Sequence, residues 1–444
     1  MSSLIITTAT LTSTPDQGPV DIRITDDTIV SIQPAGCIDT DSAELTIDAA
    51  GLVVLPGLVD LGAHLREPGH EQVETVLSAS QAAALGGYTA VHATADSDPA
   101  ADTAGTVELV ARLGAAAGYV QVYPIGAVTV GQRGERLAEI GAMADSAAQV
   151  RVFADEGGVN DSLLLRRALE YVKAFDGLVA QHAQDPQLTR DAQANEGELA
   201  SRLGLAGFAP VAEESVIARD VLLAHHVGSR LHVRHVSTAG AVEVLRWAKG
   251  RGFQVTADTT PHHLLLTEAE ITGYDPRFKV NPPLRTQTDV DALRAGVADG
   301  TIDVIATDHA PYPHEDKECE WVHAAFGVTG LQTTLPVLQA ALVDTGVLGW
   351  ADIARLVSSA PALLARDERQ GRPIAVGEPA NITLYDAASP HVLDAAELVS
   401  LSDNSPFVGR ELPGRVVATI SAGTPTVLDG HLRTPEEVAQ WTKK

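Results

Sequence analysis

Between residues 56 and 367, short apolar runs of strand character alternate with segments of helical period, and few folds accommodate that alternation. The strand-like runs lie at 59–64, 89–95, 120–127, 150–155, 177–182, 231–236, 254–259 and 303–307. Helices fit between most of them. The segment 74–85 runs into Gly86-Gly87, a helix stop, and 162–173 carries Leu163, Arg166-Arg167 and Leu169-Glu170. The segment 239–249 spaces Val242, Leu245 and Ala248 on one face, with Ser237-Thr238 placed to cap its start. Eight βα units in series predict an α/β fold with a (β/α)8 TIM-type barrel, and no repeat points to a solenoid.

The two chain ends share a different character. Strand-like runs at 4–7, 20–24, 29–32, 45–47 and 52–55 are separated by Asp26-Asp27 and Pro34-Ala35-Gly36 turns. The pattern returns at 381–385, 416–421 and 424–428, where Asp429-Gly430 supplies a hairpin-like turn. Neither end alone has enough strands to bury a core. The expectation is one small β-sandwich domain assembled from 1–55 and 368–444, with the barrel at 56–367 inserted. A chain of 444 residues suits a barrel of about 250 residues with an appended domain. Hydrophobic residues make up 45% but aromatics only 4%, so the core is built from Ala, Val, Leu and Ile, which favours α/β layers.

Charge narrows the partners. A net charge of −27 repels phosphate backbones and anionic membranes, so neither nucleic acid nor a membrane is expected as a partner. Cys37 and Cys319 form no zinc spacing. Without a signal-like start or a membrane-length apolar run, the expectation is a cytoplasmic protein with reduced thiols. Cys319 lies among Glu315, Asp316, Glu318 and Glu320, which disfavours a thiolate nucleophile.

Polar residues gather at the C-terminal ends of the barrel runs, where barrel enzymes place their chemistry. These are His64 and Arg66, Asp96 and Asp98, Asp155-Glu156-Gly157, His182, His235, and Asp308-His309-Ala310-Pro311. A single histidine at a strand end is more often structural than a ligand. Several ligand types converging on one barrel mouth predict a metal site. A strand ending in His-x-His would put both imidazoles on one face, yet here His64 is preceded at that spacing by Gly62.

Six segments carry a resemblance through nearly the whole chain. They are His64-Leu65-Arg66-Glu67-Pro68-Gly69, Gln181-His182-Ala183-Gln184-Asp185, His232-Val233-Arg234-His235-Val236-Ser237, Thr260-Pro261-His262-His263, Val280-Asn281-Pro282-Pro283-Leu284-Arg285 and Ala306-Thr307-Asp308-His309-Ala310-Pro311. The chain resembles the bacterial long-chain dihydroorotases of the amidohydrolase superfamily. The resemblance implies interconversion of N-carbamoyl-aspartate and dihydroorotate, a step of pyrimidine synthesis, by opening or closing a cyclic amide at Zn2+. It implies one or two zinc ions, with His182 and His235 on one and His64 and Asp308 on the other. A carboxylate of the fourth run would bridge them. Asp308 would carry the proton, Arg66 would grip the substrate carboxylate, Asn281 would bind the ring amide edge, and Phe326-Gly327 would line the pocket. His262-His263 is assigned mainly to structure, and His309 is left without a role. Dimers are usual in the family.

The pattern departs from the family at four places. Gly62 replaces a histidine ligand, which lowers the expected metal count to one or none if its loss is not tolerated. Asp96 stands where the family has Asn beside the substrate carboxylate, a repulsive placement unless it is protonated or paired to Arg66. Tyr312 replaces a substrate-binding His. In Phe153-Ala154-Asp155-Glu156-Gly157, matching from Phe153 selects Glu156 as the bridge, whereas counting back from His182 selects Asp155. No lysine stands at this strand end, which argues against the hydantoinase and allantoinase branches. Three readings follow: a zinc enzyme using His182, His235 and the fourth-run carboxylate; a non-catalytic homologue serving as structural partner of aspartate transcarbamoylase; or an amidohydrolase of altered substrate.

Overall fold

The computed structural model describes residues 2–442. All eight barrel runs are strands: β1 Leu58–Ala63, β2 Tyr88–Ala93, β3 Gln121–Pro124, β4 Val152–Phe153, β5 Leu178–His182, β6 Leu231–Arg234, β7 Val255–Thr259 and β8 Val304–Ile305. They pair in parallel as β1-β2-β3 and as β4-β5-β6-β7-β8. Isolated parallel bridges join Gly126 to Phe153 and Ala63 to His309, and these close the ring. β4 and β8 are shorter than their apolar runs because the backbone leaves the ladder early. Thr307 N–H, for example, is taken by Asp60 Oδ1 at 2.7 Å, and Asp308 has φ 49°.

Period-two alternation explains why the site sits where it does. Val152 and Ala154, Leu178 and Ala180, and Val304 and Ala306 pack together with Leu61 and Ile125 as a buried apolar plug. The next residue of the same parity in each series is Glu156, His182 or Asp308. The plug therefore forms a floor and the chemistry stands on it. The helices cover the outside of the barrel, where Ala79, Ala83, Val107, Leu165, Ile217 and Leu245 join the largest core cluster. Thr238 caps the helix Ala239–Gly250 by accepting from Ala241 N–H, as its place in the sequence predicts.

Strands from both chain ends share one nine-stranded sheet. They meet where Ile382–Asp386 runs antiparallel to Val53–Pro56. The first strand, Ser3–Leu11, pairs with Leu45–Asp48 through its first half and with Val53 and Val54 through Thr10 and Leu11. The break falls at Thr8, whose φ is 57°. This lets one strand serve two layers around a core of Ile6, Ile22, Ile29, Ile382, Leu384 and Ile420. Asp429 and Gly430, at φ 52° and 77°, make the tight turn that their sequence calls for. A stretch near residue 404 leaves the sheet and reaches the barrel mouth, where Asn404 Nδ2 donates to the carbonyls of Ala310 and Gly327 at 3.0 Å each. Among the described residues, no helix is long and apolar enough to cross a membrane.

Candidate active site at the barrel mouth

Three of the residues that build the mouth occupy the left-handed region without being glycine: Arg66 at φ 61°, His235 at 57° and Asp308 at 49°. That conformation is costly for a side-chain-bearing residue, and such costs cluster at functional sites. For His235 it has a clear consequence. Arg234 and His235 are neighbours of opposite parity, yet the turn brings both into the mouth.

On the β5–β6–β8 side, two buried imidazoles stand with ring centroids 6.1 Å apart. His235 is buried, and neither ring nitrogen makes a hydrogen bond. Its Nδ1 lies 3.2 Å from Asp258 Oδ1 and its Nε2 3.3 Å from Asp308 Oδ1, both without hydrogen-bond alignment. Asp258 holds the rest of that strand end in place by accepting from the His235 backbone N–H at 2.6 Å and pairing with His232 Nε2 at 2.9 Å. His182 pairs through Nε2 with Gln184 Oε1 at 3.1 Å. Burial, with positive charge at His235 and Arg234 adding to it, draws the His182 pKa down to about 4. The ring is then neutral at neutral pH, the form that ligates a metal. Burial opposes ionisation of Asp308, but His235, His64 and Arg234 outweigh it and hold the carboxyl well below the usual range.

On the β1–β2–β4 side, charge is already paired. Asp96 Oδ2 meets His64 Nδ1 at 2.7 Å and accepts from Arg66 Nη1 at 2.6 Å, while its Oδ1 accepts from Thr94 Oγ1 at 2.5 Å. Burial disfavours a charged His64, yet Asp96 and Glu156 push its pKa up to about 10. His64 Nε2 stands 3.6 Å from both Glu156 Oε2 and Asp308 Oδ1. Arg234 Nη1 donates to Glu156 Oε1 at 3.0 Å.

The two fourth-strand carboxylates separate cleanly. Asp155 is turned away from the mouth: its Oδ1 accepts from the N–H groups of Val128 and Thr129 at 2.8 and 3.1 Å, and its Oδ2 accepts from Thr129 Oγ1. Its lone pairs hold a loop together, whereas Glu156 faces His64 and Arg234.

The remaining sequence-predicted residues make the following contacts. Arg66 Nη2 donates to Pro311 O at 3.2 Å, its guanidinium lies 4.8 Å from the Tyr312 ring centroid, and its buried Nε has no partner. Asn281 Nδ2 donates to Gln184 Oε1 at 2.9 Å, which links it to His182. The Phe326 ring faces Lys279 Nζ at 4.4 Å. Gly327 has φ 146°, and a Cβ there would come within 2.7 Å of both Ala310 and Tyr312. His309 stands outside the mouth, accepting from Gly330 N–H at 3.2 Å with its Nε2 turned toward Glu74. His263 is used structurally, between Thr260 Oγ1 and Pro282 O. Sequence reasoning missed Gln184, Asp258, Arg234 and Asn404. The first three stand inside or beside the motif segments, but Asn404 carries no such signal.

On the β5–β6–β8 side the donor spacing suits a tetrahedral metal ion. Two ligands of a tetrahedral zinc, each about 2.1 Å from it, lie about 3.4 Å apart. The unbonded His235 Nε2 and Asp308 Oδ1 stand at 3.3 Å, and His182 supplies a neutral imidazole nearby, its ring centroid 6.1 Å from that of His235. Toward Gly62, a second cation would meet the guanidinium of Arg234. Among the described residues, no three His, Cys, Asp or Glu side chains are drawn into a closed ligand set.

Similarity to known proteins agrees with this geometry. Residues 51–241 match a family profile described as dihydro-orotase-like. The chain is 62% identical over 400 residues to a dihydroorotase of Leifsonia xyli subsp. xyli, covering 90% of this chain and 91% of that protein. It is 58% identical over 415 residues to a dihydroorotase of Streptomyces coelicolor, covering 93% and 96%. Among solved structures, the L-hydantoinase (dihydropyrimidinase) from Arthrobacter aurescens matches with a TM-score of 0.85 at 25% identity, covering 98% of each chain. A TIM-type barrel with an attached β-sandwich, bearing histidines and carboxylates at its mouth, defines the amidohydrolase class. Within that class, the chain belongs to the dihydroorotase family.

Proposed function

We propose that this chain is a dihydroorotase that interconverts N-carbamoyl-L-aspartate and dihydroorotate in de novo pyrimidine synthesis, working with one zinc ion per chain. The observation that carries this reading is the survival of His182, His235 and Asp308 at the mouth of a chain related to dihydroorotases over nearly its whole length. His182, His235 and the Asp308 carboxylate would hold the cation. A divalent cation bound there supplies Lewis-acid chemistry, ionising water near neutral pH and polarising a carbonyl.

The protein's own groups do the rest. Asp308 is ionised and takes a proton from the attacking water on its carboxylate. It returns that proton to the ring nitrogen as the amide C–N bond breaks, which opens the ring to the carbamoyl acid. The reverse transfer accompanies closure. Arg66 holds the substrate carboxylate, and its buried, unpartnered Nε–H is a donor for that purpose. Asp96 does not repel the substrate as a bare anion would, because His64 and Arg66 both neutralise it. Asn281, oriented by Gln184, reads the ring amide edge. Tyr312, Phe326 and Gly327 shape the wall.

Dihydroorotate hydrolysis measured on protein of known zinc content tests this reading. We expect turnover that disappears in Asp308→Ala. A protein that neither binds zinc nor turns over after zinc addition would overturn the reading. Binding to aspartate transcarbamoylase would then be the property to measure.

A further inference from the structure

Gly62 and Arg234 fit each other as an empty place and the group that fills it. Gly62 does not have the positive φ that calls for glycine, so its backbone conformation would admit a side chain. Space would not: a Cβ at this position would lie 2.9 Å from Arg234 Nη2, with Cζ at 3.6 Å and Nε at 3.7 Å. The guanidinium therefore stands where a ligand side chain on β1 would begin. Arg234 is only 3% exposed, and its Nε and Nη2 have no hydrogen-bond partner. A buried guanidinium bound at one corner is costly unless anions surround it. Glu156 Oε1 accepts from its Nη1 at 3.0 Å.

We infer that Arg234 is a built-in cation that takes the place of one metal of a two-metal centre. It supplies fixed positive charge beside His64 and Glu156, positions the Glu156 carboxylate, and excludes a second metal. The inference builds on the dihydroorotase reading but concerns metal number and charge rather than turnover. It makes Gly62 and Arg234 a complementary pair, so that restoring a ligand at 62 is useful only when the guanidinium is removed.

The test compares zinc per chain, by elemental analysis after equilibration with Zn2+ and removal of excess, and melting temperature across four proteins. These are the wild type, Gly62→His, Arg234→Ala and the double variant Gly62→His/Arg234→Ala. We expect Gly62→His alone to melt lower and gain no zinc. We expect the double variant to bind one zinc more than the wild type. A folded double variant with unchanged zinc would overturn the inference, as would a Gly62→His protein that gains zinc with Arg234 in place. Zinc-edge anomalous scattering from wild-type crystals adds a check that needs no variant. It should show no peak beside Glu156 and Arg234, and a peak there would overturn the inference. A wild type lacking turnover would count against the dihydroorotase reading alone.

Discussion

The two sides of the barrel mouth solve the same electrostatic problem in different ways. On the side of β5, β6 and β8, the buried His235 imidazole keeps both nitrogens unbonded beside an ionised Asp308. That arrangement is incomplete without a cation. On the side of β1, β2 and β4, the protein completes itself: Asp96 is shared by His64, Arg66 and Thr94, and Glu156 is paired with Arg234. The carboxylates on this side are therefore not left bare. An arginine can carry the charge of a metal, although it cannot carry the metal's Lewis acidity. Chemistry should accordingly depend on the first side and stability on the second.

Substitutions should separate the sides in that order. The largest effect is expected on the incomplete side, where His235→Ala should remove the zinc and lower kcat by about 1000-fold or more. Elemental analysis and initial rates on one preparation would check both, and a variant that kept its zinc would break the comparison. Next comes Arg234→Met, which keeps bulk but strands the Glu156 carboxylate. It should cost about 3 kcal/mol, near the lower end for breaking a buried ion pair, because Glu156 is partly exposed. Chemical denaturation reads that loss.

A smaller change is expected from Asp96→Asn, which frees Arg66 from its pairing. KM for dihydroorotate should fall by about tenfold or less, equivalent to at most about 1.4 kcal/mol. A rise in KM would mean that Asp96 aims Arg66 rather than restraining it. The smallest effect lies outside both sides. Burial pushes Asp220, on the helix Val211–Val227, up to about 6 against the pull of Arg219. Its folded pKa lies above the unfolded value of about 3.9, so the fold favours the protonated form. Its contribution is fully present below about pH 4 and is lost as pH rises through 6. Asp220→Asn should flatten stability across that window, as thermal melts over pH 4 to 7 would register.

Most of the barrel was legible because it rests on local periodicity. The eight runs and the helix caps follow from residue spacing alone, and so do the short strands at the chain ends. Parity also held information about the site that spacing between motifs did not. Val152, Ala154 and Glu156 form one series, so the inward carboxylate of β4 is the one that continues the apolar plug, and Asp155 points outward to Val128 and Thr129. Other features had no local signal. The left-handed turns at Arg66, His235 and Asp308 occur at residue types that do not announce them. Asn404 reaches Ala310 and Gly327 from a distant part of the chain. Gly62 looked like a simple loss because the group filling its space is on β6, and only the closed barrel brings the two together.

How much metal the working protein holds decides whether Arg234 carries the charge beside Glu156. Zinc per chain should be determined on wild-type protein from the same sample whose dihydroorotate hydrolysis is assayed. One zinc per chain with turnover is the predicted result. Two zinc ions per chain would contradict it, because the charge beside Glu156 would then belong to a metal and not to Arg234.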